Sequence, residues 1–313
     1  MKKLSIVVPC YNEELSIEHF FREAEKQVEQ VPAVIEYIMV DDGSKDRTLS
    51  LLRNLADKQE NVHYISFSRN FGKEAAIIAG LQYASGDAVV LMDADLQHPP
   101  SIIPEMWKYF EEGYDQVIAK RNRNGENFMR KKVSKLFYRL ANRLVDVEMT
   151  DGVGDFRLLS RQALNALLSL TEYNRFSKGL FSWIGFKEKI IEFENQVRAE
   201  GEGKWNFTSL LNYGIDGILS FNNKPLRVAI YSGLCITFLG IVYLMIIFVN
   251  YFINGISTPG YFTTISAIIL LGGVQLIFLG VIGEYIGRIY YETKNRPHYL
   301  IKEKSQKEKD DDA

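Results

Sequence analysis

The sequence predicts an α/β fold with a mostly parallel sheet, followed by two C-terminal transmembrane helices. Within residues 1–200, short apolar runs alternate with helical patterns, which is the order expected of a parallel sheet. Residues 228–253 and 261–283 contain no charged side chain, and each run is long enough to cross a hydrocarbon core of about 30 Å. Several of the strand-like runs end in polar clusters.

Composition excludes several classes of protein. The 313 residues carry a net charge of −2, so the chain lacks a global basic character and no nucleic-acid partner is expected. Cys10 and Cys235 lie in very different segments and predict neither a disulfide framework nor a zinc cluster. No Gly-x-Gly-x-x-Gly follows the first strand and no P-loop motif occurs, so neither a dinucleotide dehydrogenase nor P-loop chemistry is supported.

The apolar runs predict strands at residues 5–9, 37–40, 62–67, 88–92, 116–119 and 190–198. Helices follow the first three strands, the second of them capped by Asp46, and a further helix is predicted over residues 161–170. Residues 128–145 combine apolar positions at helical spacing with many basic side chains. This segment is either a membrane-surface helix or a helix whose apolar face packs into the domain.

The strongest candidate for a site follows the fourth predicted strand, where Asp93, Asp95 and Gln97 occur within five residues. Carboxylates just beyond a buried strand are suited to hold a hard divalent cation and, through it, phosphates. The alternative is a solvated acidic turn. Polar clusters also follow the first strand (Tyr11-Asn12-Glu13) and the second strand (Asp41-Asp42). Parallel topology brings all three clusters to one edge of the sheet, which favours a binding site over a solvated turn.

Charge distribution around the two apolar runs predicts the membrane topology. The link at residues 250–260 contains no Lys or Arg, whereas the outer flanks contain several: Lys224, Arg227, Arg288, Lys294 and Arg296. The positive-inside rule then places both flanks in the cytoplasm. We expect a multi-pass protein of the plasma membrane with a cytosolic catalytic domain (1–200), a juxtamembrane loop and interfacial helix (201–226), two spans (227–290) and a charged cytoplasmic tail (291–313), disordered from Lys302 on.

Five short motifs, taken together, resemble glycosyltransferase family 2. Within it, the sequence is similar to the polyprenyl-phosphate glycosyltransferases related to dolichol-phosphate mannose synthase, in the bacterial branch with two C-terminal membrane helices. The resemblance covers residues 1 to about 300 and is specific in the combination of motifs rather than in any one of them. The motifs are Pro9-Cys10-Tyr11-Asn12-Glu13, Val40-Asp41-Asp42-Gly43-Ser44, Arg69-Asn70-Phe71-Gly72-Lys73, Asp93-Ala94-Asp95-Leu96-Gln97-His98-Pro99 and Gly154-Asp155-Phe156-Arg157.

The resemblance implies a GT-A fold, a nucleotide-sugar donor and inversion at the anomeric carbon. It assigns a nucleotide-sugar-binding set, a metal set for Mg²⁺ or Mn²⁺, a catalytic set and a set that meets the lipid phosphate. The first comprises Pro9, Tyr11, Glu13, Asp41, Asp42, Lys73 and Asp93; the metal set Asp93, Asp95 and Gln97; the catalytic set Asp95, Asp155 and Arg157; and the last Arg121, Arg130 and Lys204. Asp155, in isolation equally a turn aspartate, is expected to orient groups or act electrostatically, because a lipid phosphate is already anionic.

The expected reaction is a single transfer to undecaprenyl phosphate at the inner membrane face, since the Gln-x-x-Arg-Trp motif of processive synthases is absent. The product would serve modification of cell-wall polymers or glycans. The motif Gly203-Lys204-Trp205, and Trp205 in particular, resembles that of enzymes that use UDP-N-acetylglucosamine. UDP-N-acetylglucosamine is therefore the expected donor, and UDP-glucose is the second expectation. The alternatives are a catalytically silent, membrane-anchored scaffold that binds nucleotide sugars and a transport component. A homo-oligomer is expected from the relatives.

Overall fold

The computed structural model describes residues 1–122, 153–173, 175, 177–193, 224–254 and 260–305. The predicted basic helix at 128–145 lies outside this part of the chain, as do Arg130 and Lys204 of the predicted lipid-phosphate set. Of the juxtamembrane loop and interfacial helix predicted over residues 201–226, residues 201–223 also lie outside it, as do residues 306–313, whereas residues 224–226 belong to a long helix.

Eight strands form one sheet in the described residues. Six of them were predicted from the apolar runs, and the structure extends several of these by a few residues because strand pairing continues into the polar ends. The strands are β1 (Lys3–Cys10), β2 (Val34–Asp41), β3 (Val62–Phe67), β4 (Ala88–Leu91), β5 (Gln116–Arg121), β6 (Val153–Ser160), β7 (Glu188–Phe193) and β8 (Ile301–Lys304).

The helices of the described residues cover the sheet or follow it towards the C-terminus. A 3₁₀ turn, Pro100–Ile102, precedes the fourth helix. The α-helices are α1 (Ile17–Val28), α2 (Thr48–Lys58), α3 (Lys73–Tyr83), α4 (Ile103–Glu111), α5 (Arg161–Ser169), α6 (Ser177–Trp183), α7 (Lys224–Asn254) and α8 (Tyr261–Lys294).

The strand order is β7-β5-β6-β4-β1-β2-β3-β8. The pairs β1–β2, β1–β4, β2–β3 and β5–β7 are parallel, whereas β6 and β8 pair antiparallel with their neighbours. The predicted mostly parallel α/β sheet is therefore confirmed for its centre. Strand β4 lies beside β1 while β2 lies on the other side of β1, and this change of direction creates a crevice at the carboxyl ends of the strands.

Alternate side chains of the strands enter two apolar layers, one on each face of the sheet. On one face Val7, Leu91 and Leu159 pack with α3, α5 and α6, and on the other face Ile6, Val90 and Leu158 pack with α1 and α4. Helix α3 lies close to the sheet at Gly80, where an added Cβ would stand 2.3 Å from Val7 Cγ1. A side chain at this position would push α3, and with it Lys73, away from the sheet edge.

Strand β6 is an addition to the sequence-based prediction. Residues 153–160 contain Gly154, Asp155 and Arg157 before their apolar run, so they lack an apolar alternation. The pairing of β6 with both β4 and β5 supplies the stabilisation. It also means that Asp155 and Arg157 lie on a strand rather than in a turn.

The expectation that the chain is disordered from Lys302 on is wrong for its first residues. Strand β8 pairs antiparallel with β3, and the Glu303 carboxylate accepts hydrogen bonds of 2.8 and 2.7 Å from Nε and Nη2 of Arg53. Just before β8, the Tyr299 ring stacks on Phe67 at 4.8 Å. Unpaired backbone groups on β3 form an edge that this segment completes, a signal that composition alone does not contain.

The two C-terminal helices are 31 and 34 residues long. Among the described residues, the helical segment Leu271–Lys294 is long and apolar enough to cross a membrane, and α7 contains a shorter apolar stretch, Tyr231–Tyr243. Many described side chains of both helices are large, apolar and exposed, such as Phe248 and Leu276. One apolar segment of spanning length is thus present, and a second span stays a prediction.

Candidate active site

The loops that follow β1 and β2 are joined by hydrogen bonds. The Asn12 amide N–H donates to Ser44 Oγ at 2.9 Å, and Asn12 Oδ1 accepts from the Lys45 N–H at 2.9 Å. Asn12 adopts a left-handed backbone conformation, with φ of 55°, which asparagine tolerates better than most residues. The polar clusters predicted to meet at the sheet edge do so here.

Asp41 and Asp42 are buried, at 1% and 3% exposure, and the chain's own donors engage their carboxylates. Asp41 accepts the Ser44 N–H at 2.9 Å and the Ser66 hydroxyl at 2.7 Å. Asp42 accepts the Phe71 N–H at 2.7 Å, and burial raises its pKa against the opposing effect of that bond. Both carboxylates shape the crevice, and their predicted nucleoside contact stays a prediction.

Gly43 allows the loop after β2 to touch the loop after β3. Its φ is +65°, and an added Cβ would lie 2.4 Å from the carbonyl carbon of Arg69. Any side chain at this position would therefore clash with backbone, which cannot move aside easily. The close contact fixes residues 69–72 and thereby the start of α3, where Lys73 is the first helical residue.

The centre of the site is a pair of carboxylates, one just beyond the end of β4 and one on the neighbouring strand β6. Leu91 of β4 pairs with Arg157 of the antiparallel strand β6, so continuing that register by two residues brings Asp93 opposite Asp155. Two like charges facing each other across a ladder are destabilising. The Lys73 ammonium lies between them, 2.8 Å from Asp93 Oδ1 and 2.8 Å from Asp155 Oδ2.

Lys73 stays protonated in this position. Burial alone would lower its pKa, but the charges of Asp93 and Asp155 outweigh that effect and raise the pKa above its ordinary value. The second oxygen of Asp93 also accepts from the ammonium, at 2.9 Å. Both oxygens of Asp93 and one of Asp155 thus point at a single positive charge.

His98 holds the backbone of the same turn. Its Nδ1 accepts the Asp93 amide N–H at 3.3 Å, and its ring stacks on Phe156 at 5.0 Å. Burial lowers the pKa of His98, and Lys73 lowers it further against the attraction of Asp93. A neutral imidazole with Nδ1 unprotonated satisfies this geometry, so His98 is a positioning residue.

Asp95 and Gln97 follow in a tight turn. The Gln97 amide N–H donates to Asp95 Oδ1 at 3.1 Å, and Leu96 between them has a φ of 59°. A left-handed leucine costs about 1–2 kcal/mol, and such strain is typical of functional turns. The turn keeps Asp93, Asp95 and Gln97, the predicted metal set, within one short loop.

The donor set fits a divalent cation that binds together with a diphosphate. Mg²⁺ and Mn²⁺ prefer oxygen ligands, and Mg²⁺ is commonly held by one or two carboxylates plus substrate phosphates. The carboxylates of Asp93 and Asp155 already converge on one cation, the Lys73 ammonium. Among the described residues, no group of three or more His, Cys, Asp and Glu side chains could hold a metal ion alone. The remaining ligands would come from Asp95, Gln97 and phosphate oxygens.

Arg157 lies behind the cleft rather than in it. It is 2% exposed, its guanidinium stands 3.7 Å from the centroid of the Phe181 ring, and its Nη2 donates to the Gly154 carbonyl at 2.9 Å. Burial lowers its pKa to about 10. The side chain supports the strand that carries Asp155, and its predicted catalytic role stays a prediction.

The other predicted site residues divide by location. Pro9, Tyr11 and Glu13 surround the carboxyl end of β1, where Tyr11 is exposed and the other two are half-buried. The Glu13 amide N–H donates to Thr48 Oγ1 at 2.9 Å. Arg121 ends β5 and is half-buried, and its buried Nε has no hydrogen-bond partner among the described residues.

Sequence reasoning missed two features of the site. Lys73 was expected to contact the nucleotide sugar, but nothing in the sequence indicated that it would bridge Asp93 and Asp155, which are 62 residues apart in the numbering. The supporting contacts of Ser44 and Ser66 with Asp41 were also missed. A lysine in the first turn of a helix opposes the helix dipole, and that misplacement was the available signal.

The α/β sheet with a carboxylate turn at its crevice agrees with the GT-A fold that the motifs predicted. The chain is a member of glycosyl transferase family 2, whose description matches residues 5–168. Residues 224–289 match a second family, described as the GtrB C-terminal hairpin. This assignment confirms the family that the motifs predicted.

Relatives match nearly the whole chain. The putative glycosyltransferase CsbB of Bacillus subtilis (strain 168) is 56% identical over 98% of this chain and 93% of its own length. The bactoprenol glucosyl transferase of Shigella phage SfV is 41% identical over 97% of this chain and 100% of its own length. The prophage bactoprenol glucosyl transferase homolog of Escherichia coli (strain K12) is 40% identical over 96% and 98%.

Solved structures are more distant. Glucosyl-3-phosphoglycerate synthase from Mycobacterium tuberculosis, in complex with Mn²⁺, UDP-glucose and phosphoglyceric acid, has a TM-score of 0.46 and 21% identity over 70% of this chain and 78% of that one. The mannosyltransferase PcManGT from Pyrobaculum calidifontis has a TM-score of 0.44 and 17% identity over 64% and 58%. Likeness at this level does not allow ligand contacts to be transferred between residues.

Proposed function

We propose that this protein transfers one sugar from a UDP-sugar to a polyprenyl phosphate at the cytoplasmic face of a membrane. The observation that carries the proposal is the pair Asp93 and Asp155, which face each other at the sheet crevice and point at one cation. Family membership supports sugar transfer, and the names of relatives support a bactoprenol lipid as the acceptor.

The donor that the relatives favour is UDP-glucose. Several are named bactoprenol glucosyl transferase and are 40–42% identical to this chain. This reverses the order expected from the sequence, where Trp205 favoured UDP-N-acetylglucosamine. UDP-N-acetylglucosamine is the second candidate donor, on the resemblance of residues 151–157, 176–179 and 203–205 to enzymes that use it.

The chemistry requires two anions to be held side by side. The acceptor phosphate is charged near neutral pH, so it needs positioning and charge neutralisation more than a general base. A bound divalent cation would supply Lewis-acid stabilisation of the departing diphosphate. Asp155 orients the reacting groups and holds Lys73, while Arg121, with Arg130 and Lys204 from outside the described residues, meets the lipid phosphate.

The membrane arrangement follows from the two long helices. We infer two spans, α7 and α8, with the catalytic domain in the cytoplasm of a bacterial cell and the link between the helices outside. The basic residues at the end of α8 (Lys294) and just after it (Arg296), together with the return of β8 to the sheet, support a cytoplasmic position for that end. A homo-oligomer assembled through the helices completes the proposal.

The test is a donor screen with the detergent-purified full chain, undecaprenyl phosphate and Mn²⁺. Labelled UDP-glucose and UDP-N-acetylglucosamine are supplied separately, and the label in the organic phase is counted. We expect glucose to be transferred, with inversion, and the Asp95→Asn variant to lose transfer while it keeps its thermal unfolding midpoint. UDP binding without transfer from any UDP-sugar would contradict the proposal and favour a silent binding scaffold.

A further inference from the structure

The Lys73 ammonium occupies a point that two acidic side chains of the site share. It lies 2.8 Å from an oxygen of Asp93 and 2.8 Å from an oxygen of Asp155. Asp93 lies just beyond β4 and Asp155 lies on β6, whereas Lys73 begins α3. The three residues therefore come from different elements and meet only in the folded chain. The lysine therefore neutralises a repulsion that the antiparallel register would otherwise create.

The Lys73 side chain is also not enclosed at this point. Its side chain is 46% exposed, and a lysine carries its charge on a flexible four-carbon stem with three donors. Glu74, the next residue, is fixed instead by a hydrogen bond from the Ser177 hydroxyl. Of these two neighbours, only Lys73 faces the predicted diphosphate site.

We propose that Lys73 is a tethered counter-cation. Its ammonium stays bound to the Asp93 carboxylate until the nucleotide arrives, and then moves to a phosphate oxygen of the diphosphate. Lys73 thereby disfavours binding of a divalent cation alone and favours binding of the cation together with the nucleotide. This inference rests on the metal and donor parts of the proposed function. It assigns Lys73 a switching role beyond simple contact with the nucleotide.

The proposal predicts effects of opposite sign from one substitution. Removing the ammonium in Lys73→Met takes away the positive charge that Asp93 and Asp155 share, so Mn²⁺ alone should bind about tenfold tighter, as expected when a competing charge at contact distance is lost. Mn²⁺ in the presence of UDP should bind about tenfold weaker, because the diphosphate loses a charged hydrogen bond. Lys73→Arg keeps the positive charge, so its affinities for Mn²⁺ with and without UDP should stay close to those of the wild type.

The experiment is a titration of the detergent-purified full chain with Mn²⁺, in which free Mn²⁺ is read from its electron paramagnetic resonance signal. Each variant is measured with and without UDP at fixed ionic strength. Lys26→Met is the matched control, since Lys26 pairs with Glu23 at 2.6 Å on a helix surface away from the site. Thermal unfolding of each variant confirms that it is folded.

The outcomes separate this proposal from the proposed function. Opposite shifts in Lys73→Met, absent in Lys26→Met, would support the counter-cation role. Unchanged or weaker binding of Mn²⁺ alone would overturn it while leaving sugar transfer, measured separately, untouched. If Mn²⁺ bound no variant under any condition, both the counter-cation role and the metal site would be overturned.

Discussion

The two ends of the central strands each hold a lysine against carboxylates, but the two groups differ in what remains for a ligand. At the amino ends, Glu36 is 2% exposed and receives Lys3 Nζ at 2.6 Å. The Ser5 hydroxyl donates to it at 2.5 Å and the Ser85 amide at 2.6 Å. Every direction around this carboxylate is used by the chain itself.

At the carboxyl ends, Asp93 and Asp155 share one lysine, and this group is more open to solvent than Glu36. The Asp93 side chain is 27% exposed and that of Lys73 is 46% exposed. Here the cation is an exchangeable partner, whereas Lys3 at the other end belongs to a closed network. The comparison teaches that a buried, fully bonded carboxylate stabilises the fold, while an open pair of carboxylates is available for chemistry.

The largest effect should come from removing the open carboxylate. We expect Asp93→Asn to reduce kcat/KM for sugar transfer by about 100-fold or more, the size seen when a group that stabilises transition-state charge is lost. Its free energy of unfolding should change by less than about 1 kcal/mol, since one of two facing charges is removed. Transfer kinetics and urea unfolding measure the two effects. An Asp93→Asn protein that is strongly destabilised but keeps its specific activity would show that this carboxylate supports the fold rather than the chemistry.

The network around Glu36 should show the opposite result, in which substitution lowers stability and leaves activity unchanged. Glu36→Gln leaves Lys3 and two serines without their carboxylate, and breaking a buried charged contact costs about 3 kcal/mol of stability. Transfer activity per folded molecule should stay at the wild-type level, because Glu36 lies at the far end of the strands. Urea unfolding followed by circular dichroism tests the first part. An unchanged unfolding midpoint would show that the network is dispensable.

The same network predicts a pH dependence. Burial alone would raise the pKa of Glu36, but hydrogen bonds from Lys3, Ser5 and Ser85 outweigh burial and lower the pKa from 4.5 to about 2. Because the folded-state pKa is depressed, the stabilisation is fully present above pH 4.5 and is lost as the pH falls towards about 2. The difference in unfolding free energy between wild type and Glu36→Gln should therefore shrink across this window. A constant difference would contradict this origin of the stabilisation.

The smallest effect concerns the exposed pair between Arg53 and Glu303. Although the guanidinium makes two hydrogen bonds to the carboxylate, the Arg53 side chain is 46% exposed, and surface pairs contribute about 0–1 kcal/mol. Glu303→Gln should lower the unfolding free energy within that range, with Glu23→Gln as a control on an isolated helix pair. Loss on the scale of Glu36→Gln would mean that β8 is a major support of the sheet.

Much of the fold could be predicted from local patterns. Six strands and their helices are marked by apolar runs, and parallel topology alone brings Asn12, Asp41 and Asp93 to one edge. These features depend on side-chain periodicity, which any short window of sequence contains. The turn with Asp95 and Gln97 was recognisable because its polar residues directly follow an apolar run.

The features that were not predicted depend on pairing between distant segments. Strand β6 has no apolar alternation where Asp155 lies, and it is a strand because β4 and β5 provide partners on both sides. Strand β8 is highly charged, yet the free edge of β3 orders it. The bridge from Lys73 to Asp155 follows from the β4–β6 register, which only the assembled sheet defines.

The most direct test of the account compares two acceptors in one assay. Wild-type protein and Asp93→Asn are each given labelled UDP-glucose and Mn²⁺ with undecaprenyl phosphate or with undecaprenol, and both released UDP and labelled lipid are measured. We predict equal amounts of UDP and glycosylated lipid from the wild type with the phosphate acceptor alone, and neither from Asp93→Asn. Equal transfer to undecaprenol, or undiminished transfer by Asp93→Asn, would contradict the assignment of this site to sugar transfer onto a lipid phosphate.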